Sequence, residues 1–315
     1  MKNRVYVFLL LAGFLALCAS GGVAADVRTV IPLDGEWQIA EGGLDKLPAD
    51  FAHRVPVPGL VDMAKPAFAE VGKKSEKRQA FWYRREFALN QPVPEIALLK
   101  VHKAQFGTKV WLNGKVVGSH LPCFTPAWLD VKSALKKDGQ PNELIIRVGA
   151  DRDSMPQDVP TGWDFEKYLF IPGIYDSVEL ILTGAPYIVN VQTVPNIETE
   201  SVRVVAEVAA GEKGCEFELQ ATVSLRGSTR VDGTLTTSKT YLRAKRTRTV
   251  EFTLPIRDAR LWSPEEPFLY ELTLSTGADA TKTRFGMRSF SFDRETKRAM
   301  LNGKPYFMRG SNVTL

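Results

Sequence analysis

The chain has 315 residues, more than one ordinary domain holds, so two domains plus extra segments are expected. With 44% hydrophobic and 24% charged residues it has the composition of a globular protein that can build cores, which excludes a disordered or low-complexity chain. The formal net charge of +5 at pH 7 is mild and provides no basis for a nucleic-acid partner.

The chain opens with a targeting pattern. Lys2 and Arg4 supply a positive start, and Val5 to Leu17 is almost wholly apolar. That run is too short for a membrane helix, which needs roughly 20 residues. Small residues come next, ending Val23-Ala24-Ala25, the kind of site a signal peptidase cleaves. Residues 1–25 are therefore read as a signal peptide, cleaved after Ala25, with the mature chain exported to the periplasm or beyond the cell and keeping no transmembrane segment. Cleavage removes two of the 41 basic residues and no acidic one; 39 against 36 leaves +3. Cys18 offers a lipoprotein alternative, disfavoured because Leu17 stands where lipidation sites prefer a small residue. Cys123 and Cys215 fall in different expected domains, so no disulfide is expected. His53, His102 and His120 are scattered and no Cys or His pair has ligand spacing, so neither metal nor other cofactor is expected.

Period-two alternation dominates the remainder of the chain. Phe81 to Phe87 reads as a strand. Leu144, Ile146 and Val148 point one way, with Ile145 and Arg147 opposite. Phe217, Leu219, Ala221, Val223 and Leu225 form one face of another strand. Val250, Phe252 and Leu254 repeat the pattern, as do Phe268, Tyr270, Leu272 and Leu274. Turn signals separate these runs: Asn113-Gly114, Asp138-Gly139, Pro172-Gly173, Asp232-Gly233 and, near the end, Asn302-Gly303. Short helices are placed near Val61–Ala69 and Val131–Leu135. Trp37, Trp82, Trp111 and Trp128 lie in or beside apolar strand patterns and read as core. The basic clusters Lys73-Lys74 with Lys77-Arg78, and Arg243 to Arg246, read as solvated charge. A composition change near Thr183-Gly184-Ala185-Pro186 and another near Phe290 divide the mature chain into 26–185, 186–289 and 290–315. Many short strands with frequent turns give an all-β fold of successive sandwiches. Pro305 to Gly310 reads as a strand opening a further unit.

Several segments resemble glycoside hydrolase family 2 in order and spacing. They are Leu33-Asp34-Gly35-Glu36-Trp37, Val57-Pro58-Gly59, Trp82 to Phe87, Val110-Trp111-Leu112-Asn113-Gly114 to Gly118, Gly173-Ile174-Tyr175-Asp176 to Leu180, and Leu261-Trp262-Ser263-Pro264 to Tyr270. Phe285-Gly286-Met287-Arg288, Leu301 to Pro305 and Arg309 to Asn312 complete the series. The resemblance covers nearly the whole mature chain. It implies a jelly-roll, galactose-binding-like sandwich over 26–185, an immunoglobulin-like β-sandwich over 186–289, and the first strand of a (β/α)8 barrel over 290–315. It also implies an enzyme acting on O-glycosyl bonds of β-glycosides, of the β-galactosidase or β-glucuronidase kind, with carbohydrate as its partner.

Retaining glycoside hydrolysis needs two carboxyl groups about 5–5.5 Å apart. In the family both are barrel glutamates, so no catalytic residue is expected here and the chain alone is expected to be inactive. Asn142-Glu143 has the dipeptide that marks the family's acid/base, but it comes after the Asp138-Gly139 turn and reads as a turn exit. Asp151 and Asp153 flank Arg152 and read as solvated charge. Asn312-Val313-Thr314 is a glycosylation sequon by pattern only. The loop Pro160 to Lys167 differs from the rest. Trp163 can stack on a sugar ring and Asp164 beside it can accept hydroxyl hydrogen bonds, and the resemblance places this loop near the barrel's active site. Trp163 and Asp164 are the candidate substrate-binding residues, set against the favoured plainer reading of a loop packed on its own domain. A stand-alone carbohydrate-binding sandwich without hydrolase activity is the alternative, and a purely structural periplasmic module ranks last.

Overall fold

A computed structural model describes residues 28–75, 78–162, 169–228 and 230–310. The chain is all-β: 24 strands and two single-turn 3-10 helices, Val61–Met63 and Arg152–Ser154, among the described residues. Among those residues no helix is long and apolar enough to cross a membrane.

The first unit packs two antiparallel sheets face to face. One runs in the order His53–Val57, Gly35–Gly42, Ala80–Ala88, Pro141–Gly149, Thr108–Leu112, Lys115–His120. The other runs Thr29–Pro32, Val178–Thr183, Ile96–Val101, Ala127–Asp130. The alternation decides which side chains meet between them. Leu144, Ile146 and Val148 are fully buried in the main core, beside Phe81, Tyr83, Val110 and Leu180. Ile145 points to the opposite face and packs with Trp82, Phe51 and Ala40 in a smaller cluster. Trp37 and Trp82 are buried and keep their indole N–H groups satisfied, on Leu33 O at 2.8 Å and Gly43 O at 3.0 Å. That is the condition for burying a tryptophan without a polar cost.

The second unit places Tyr187–Asn196, Ser201–Ala209 and Thr247–Pro255 against Val231–Thr236, Gln220–Leu225, Tyr270–Ser275 and Ala280–Phe285. Its core holds Val204, Val208, Leu219, Val223, Leu254, Leu272 and Met287. A three-stranded hairpin unit comes last, Phe290–Phe292, Ala299–Leu301 and Lys304–Pro305. Asn302 fastens it to the second sandwich by donating to Trp262 O at 3.0 Å and accepting from Ser289 N at 3.0 Å.

Three expected turns form as read. Asn113-Gly114, Asp138-Gly139 and Asn302-Gly303 each put both residues at positive φ, between 52° and 77°. Asn, Asp and Gly are the residues that accept this conformation. Other expectations need correction. Gly173 begins the strand Gly173–Ile174, paired with Gly59–Leu60, so Pro172-Gly173 makes no turn. Asp232-Gly233 lies inside the strand Val231–Thr236, while the reversal uses Gly227 at φ 79°. Gly233 is needed for a different reason: a Cβ there would sit 2.8 Å from Pro255 O. The strand read as continuous from Phe217 breaks into Cys215–Phe217 and Gln220–Leu225, which join different sheets. Val131–Leu135 is a hydrogen-bonded turn, and the helix near Val61 stops at Met63. The strand expected over Pro305 to Gly310 ends at Pro305. Phe307 beyond it is 81% exposed and pairs with no strand among the described residues.

Candidate functional site

Trp163 and Asp164 lie outside the described residues, as do the signal peptide and the sequon. The described residues show how their loop is rooted. The strand Pro141–Gly149 runs out of the first sandwich into the turn Arg152–Ser154. Asp151 caps that turn, its carboxylate accepting from Asp153 N at 3.0 Å. Arg152 then binds three successive carbonyls, those of Met155, Pro156 and Gln157, at 2.9 to 3.2 Å. Met155 is buried with Phe106 and Cys123, and Val159 and Phe170 pack against them. This small core joins the described segments on either side of residues 163–168.

The stumps on either side are positioned closely. Thr161 is buried, and its carbonyl accepts from Gln105 Nε2 at 3.3 Å. Gln105 and Gly173 exchange backbone hydrogen bonds at 2.9 Å each way. Gly162 has φ 69°, and a Cβ there would come within 2.9 Å of the Phe124 ring. Phe124, Leu121 and Leu169 nevertheless expose 52%, 41% and 43% of their surface. The described residues flanking 163–168 thus include an exposed apolar, partly aromatic group, the surface chemistry that sugar-ring stacking uses.

Among the described residues, the carboxyls with resolved shifts are all held low. Burial pushes up the Cys123 thiol, which keeps it from serving as a thiolate at neutral pH. Burial also raises the Tyr175 phenol, which donates to Cys123 O at 2.5 Å. Asp153 is held below the usual carboxylate range by its hydrogen bond and ion pair with Lys74 at 2.5 Å. Partial burial acts to raise Asp176, but Ser177 N–H and Lys103 together hold it low. Away from these segments, in the last hairpin, Asp293 is likewise held low by hydrogen bonds from Thr296. These carboxyls all move downward, whereas a general acid for glycoside cleavage needs one moved up.

Asn142-Glu143 has a structural task. Asn142 is fully buried at the start of its strand, accepts from Lys136 N and Asn113 Nδ2 at 2.8 Å each, and donates to Lys136 O at 3.2 Å. Asn113 also donates to Ala134 O at 2.7 Å and accepts from Glu143 N at 2.9 Å. Glu143 faces outward and pairs with Arg84 at 3.1 Å. Of the tryptophans, Trp37 and Trp82 are core, Trp111 is half-buried against Trp82 with ring centroids 5.1 Å apart, and Trp128 is half-buried under Lys100. His102 pairs with Glu179 at 2.9 Å, while His53 stacks on Phe68. No group of His, Cys, Asp and Glu among the described residues is arranged to hold a metal ion. Cys123 and Cys215 are both free.

Two features escaped the sequence. Arg78, read as solvated, is only 6% exposed; it pairs with Glu41 at 2.9 Å and donates to Ala69 O and Glu70 O. Asp279, in an unremarkable turn, is fully buried and joins the two sandwiches. It accepts from Arg28 Nε and Nη2, from Thr183 Oγ1 at 2.7 Å and from Ile188 N at 2.6 Å. Neighbouring lysines hide the first in a charge run, and partners 91 to 251 residues away hide the second.

Known proteins share this outline. Residues 186–288 match the model of Glycosyl hydrolases family 2. Over 246 residues the chain is 22% identical to a beta-galactosidase of Thermoanaerobacter pseudethanolicus, covering 76% of this chain and 32% of that protein. Over 309 residues it is 23% identical to a beta-glucuronidase of Paenibacillus borealis, covering 90% of this chain and 49% of that one. The crystal structure of a Bacteroides uniformis beta-glucuronidase superposes with a TM-score of 0.69 at 23% identity, over 90% of this chain and 35% of that one. The chain thus spans about a third of the first relative and about half of the second.

Proposed function

We propose that this chain, whose residues 186–288 match Glycosyl hydrolases family 2, is the non-catalytic front part of an exported enzyme of that family that hydrolyses O-glycosyl bonds of β-glycosides. One observation carries the reading: most of the chain aligns with only 32% of a beta-galactosidase and 49% of a beta-glucuronidase. The downward-shifted carboxyls and the structural use of Asn142 and Glu143 support a non-catalytic role. Export rests on the pattern of residues 1–25, and Trp163 with Asp164 would contact substrate from the loop rooted on Met155 and Thr161.

The test uses the purified 315-residue chain with aryl β-galactoside and aryl β-glucuronide. No turnover is expected to track the protein peak. Turnover that co-purifies with the chain and is lost on heating would overturn the non-catalytic reading. N-terminal sequencing of the chain recovered from the periplasm or medium should begin at Asp26; recovery only in the cytoplasm with Met1 intact would remove the export proposal.

A further inference from the structure

We propose that the cleft between the two sandwiches is a binding subsite for a small hydroxyl-rich ligand, a mono- or disaccharide, separate from the loop that carries Trp163 and Asp164. The cleft encloses about 370 Å³, within the range of small-molecule sites. Glu95, Asp130 and Lys132 come from the first sandwich, and Tyr187, Glu212 and Lys245 from the second. Both walls must be in place for the site to exist, and the buried Asp279 clamp beside Tyr187 holds them there.

The lining is organised before any ligand arrives. Lys132 Nζ donates to Glu95 O at 2.8 Å, and Lys132 N donates to Asp130 Oδ1 at 2.9 Å. Lys245 pairs with Glu212 at 2.8 Å on the facing rim, and its backbone N–H bonds Gly211 O at 3.0 Å. Gly211 lets the walls approach, since a Cβ there would lie 2.4 Å from Glu95 Oε1. Asp130 influences both Tyr187 and Lys245, which places acceptor, aromatic ring and cation together.

This chemistry selects the ligand class independently of the proposed function. Three carboxylates accept hydroxyl hydrogens, two ammonium groups donate to oxygens, and the Tyr187 ring offers an apolar face. A phosphorylated ligand would meet three carboxylates against two lysines, one of them already paired. A metal ion needs ligands that converge, and the described carboxylates include no such group. A neutral polyol ring, with alternating donors, acceptors and C–H faces, matches the set.

The experiment is isothermal titration and ligand-observed NMR on the 315-residue chain, with methyl β-galactoside, methyl β-glucoside and cellobiose as probes. Saturable binding of at least one probe is expected. Asp130→Asn and Lys245→Met should each weaken it about tenfold or more, while Lys115→Ala, exposed on the edge strand of the other sheet, leaves it unchanged. Circular dichroism and the unfolding midpoint identify any variant that has lost its fold. Gly211→Ala, whose added Cβ must displace the Glu95 carboxylate from its place in the lining, then serves as the second test and should also weaken binding. Absence of binding by all three probes overturns the proposal. So does binding that survives Asp130→Asn and Lys245→Met but is lost in Trp163→Ala, which would assign the sugar to the loop. Calcium or magnesium binding alone that is lost in Asp130→Asn would also overturn it.

Discussion

Single side chains separate the family-like motifs into those that hold the fold and those free for chemistry. Asn142 is surrounded by backbone and by Asn113, so Asn142→Ala strands buried donors and acceptors. A loss of about 2–3 kcal/mol is expected in urea unfolding. Glu143→Gln loses only a partly exposed ion pair, worth under about 1 kcal/mol. The reverse order would show that Glu143, not Asn142, is the constrained residue. Tyr83 supplies a pH test. Its hydroxyl is buried beside Ile174 without a well-aligned hydrogen bond, and burial raises its pKa far above the ordinary value near 10. The unfolded chain therefore ionises at Tyr83 before the folded one does, and stability falls as pH rises above about 10. Tyr83→Phe should cost under about 1 kcal/mol at pH 7 and flatten that alkaline decline. An unchanged slope between about pH 9 and 11 would remove Tyr83 as a cause.

At the scale of elements, glycine decides where strands can touch. Gly173 pairs with Leu60, and a Cβ on it would lie 2.5 Å from Gly59 O and 2.8 Å from Leu60 Cα. Both obstacles are backbone, so no rotamer change relieves them. Gly173→Ala should cost roughly 1–3 kcal/mol by forcing the two strands apart, and hydrogen exchange should quicken first at Gln105 and Val61, which bond to this segment. Uniform exchange with full stability would contradict the close packing. The sequence showed the Asn-Gly and Asp-Gly reversals because their left-handed residues are a local requirement. It mistook Pro172-Gly173 and Asp232-Gly233 for turns because their glycines answer to distant backbone, which no local window contains.

For the whole molecule the decisive contact is the Arg28–Asp279 clamp. Asp279→Ala leaves Arg28, the Thr183 hydroxyl and Ile188 N–H without their shared acceptor. Breaking such a buried pair costs about 3–5 kcal/mol. Calorimetry should resolve two transitions in the variant where the parent chain shows one, because the sandwiches have separate cores and this contact couples them. A single unshifted transition would mean that the units are joined by other means. Arg28 is the third residue after the expected cleavage at Ala25, so export processing would leave the clamp intact.

By itself the sequence determined the all-β class, the inward faces of the main strands, three left-handed turns and the resemblance to glycoside hydrolase family 2, because these arise from local alternation, turn chemistry and motif order. It also identified Asn142-Glu143 as structural from its place after a turn. Only the tertiary structure decided that Arg78 is buried, that Asp279 joins the sandwiches, and that a polar cleft opens between them. Burial, ion pairing and cavities depend on residues brought together from far along the chain, and a linear pattern carries no record of that proximity.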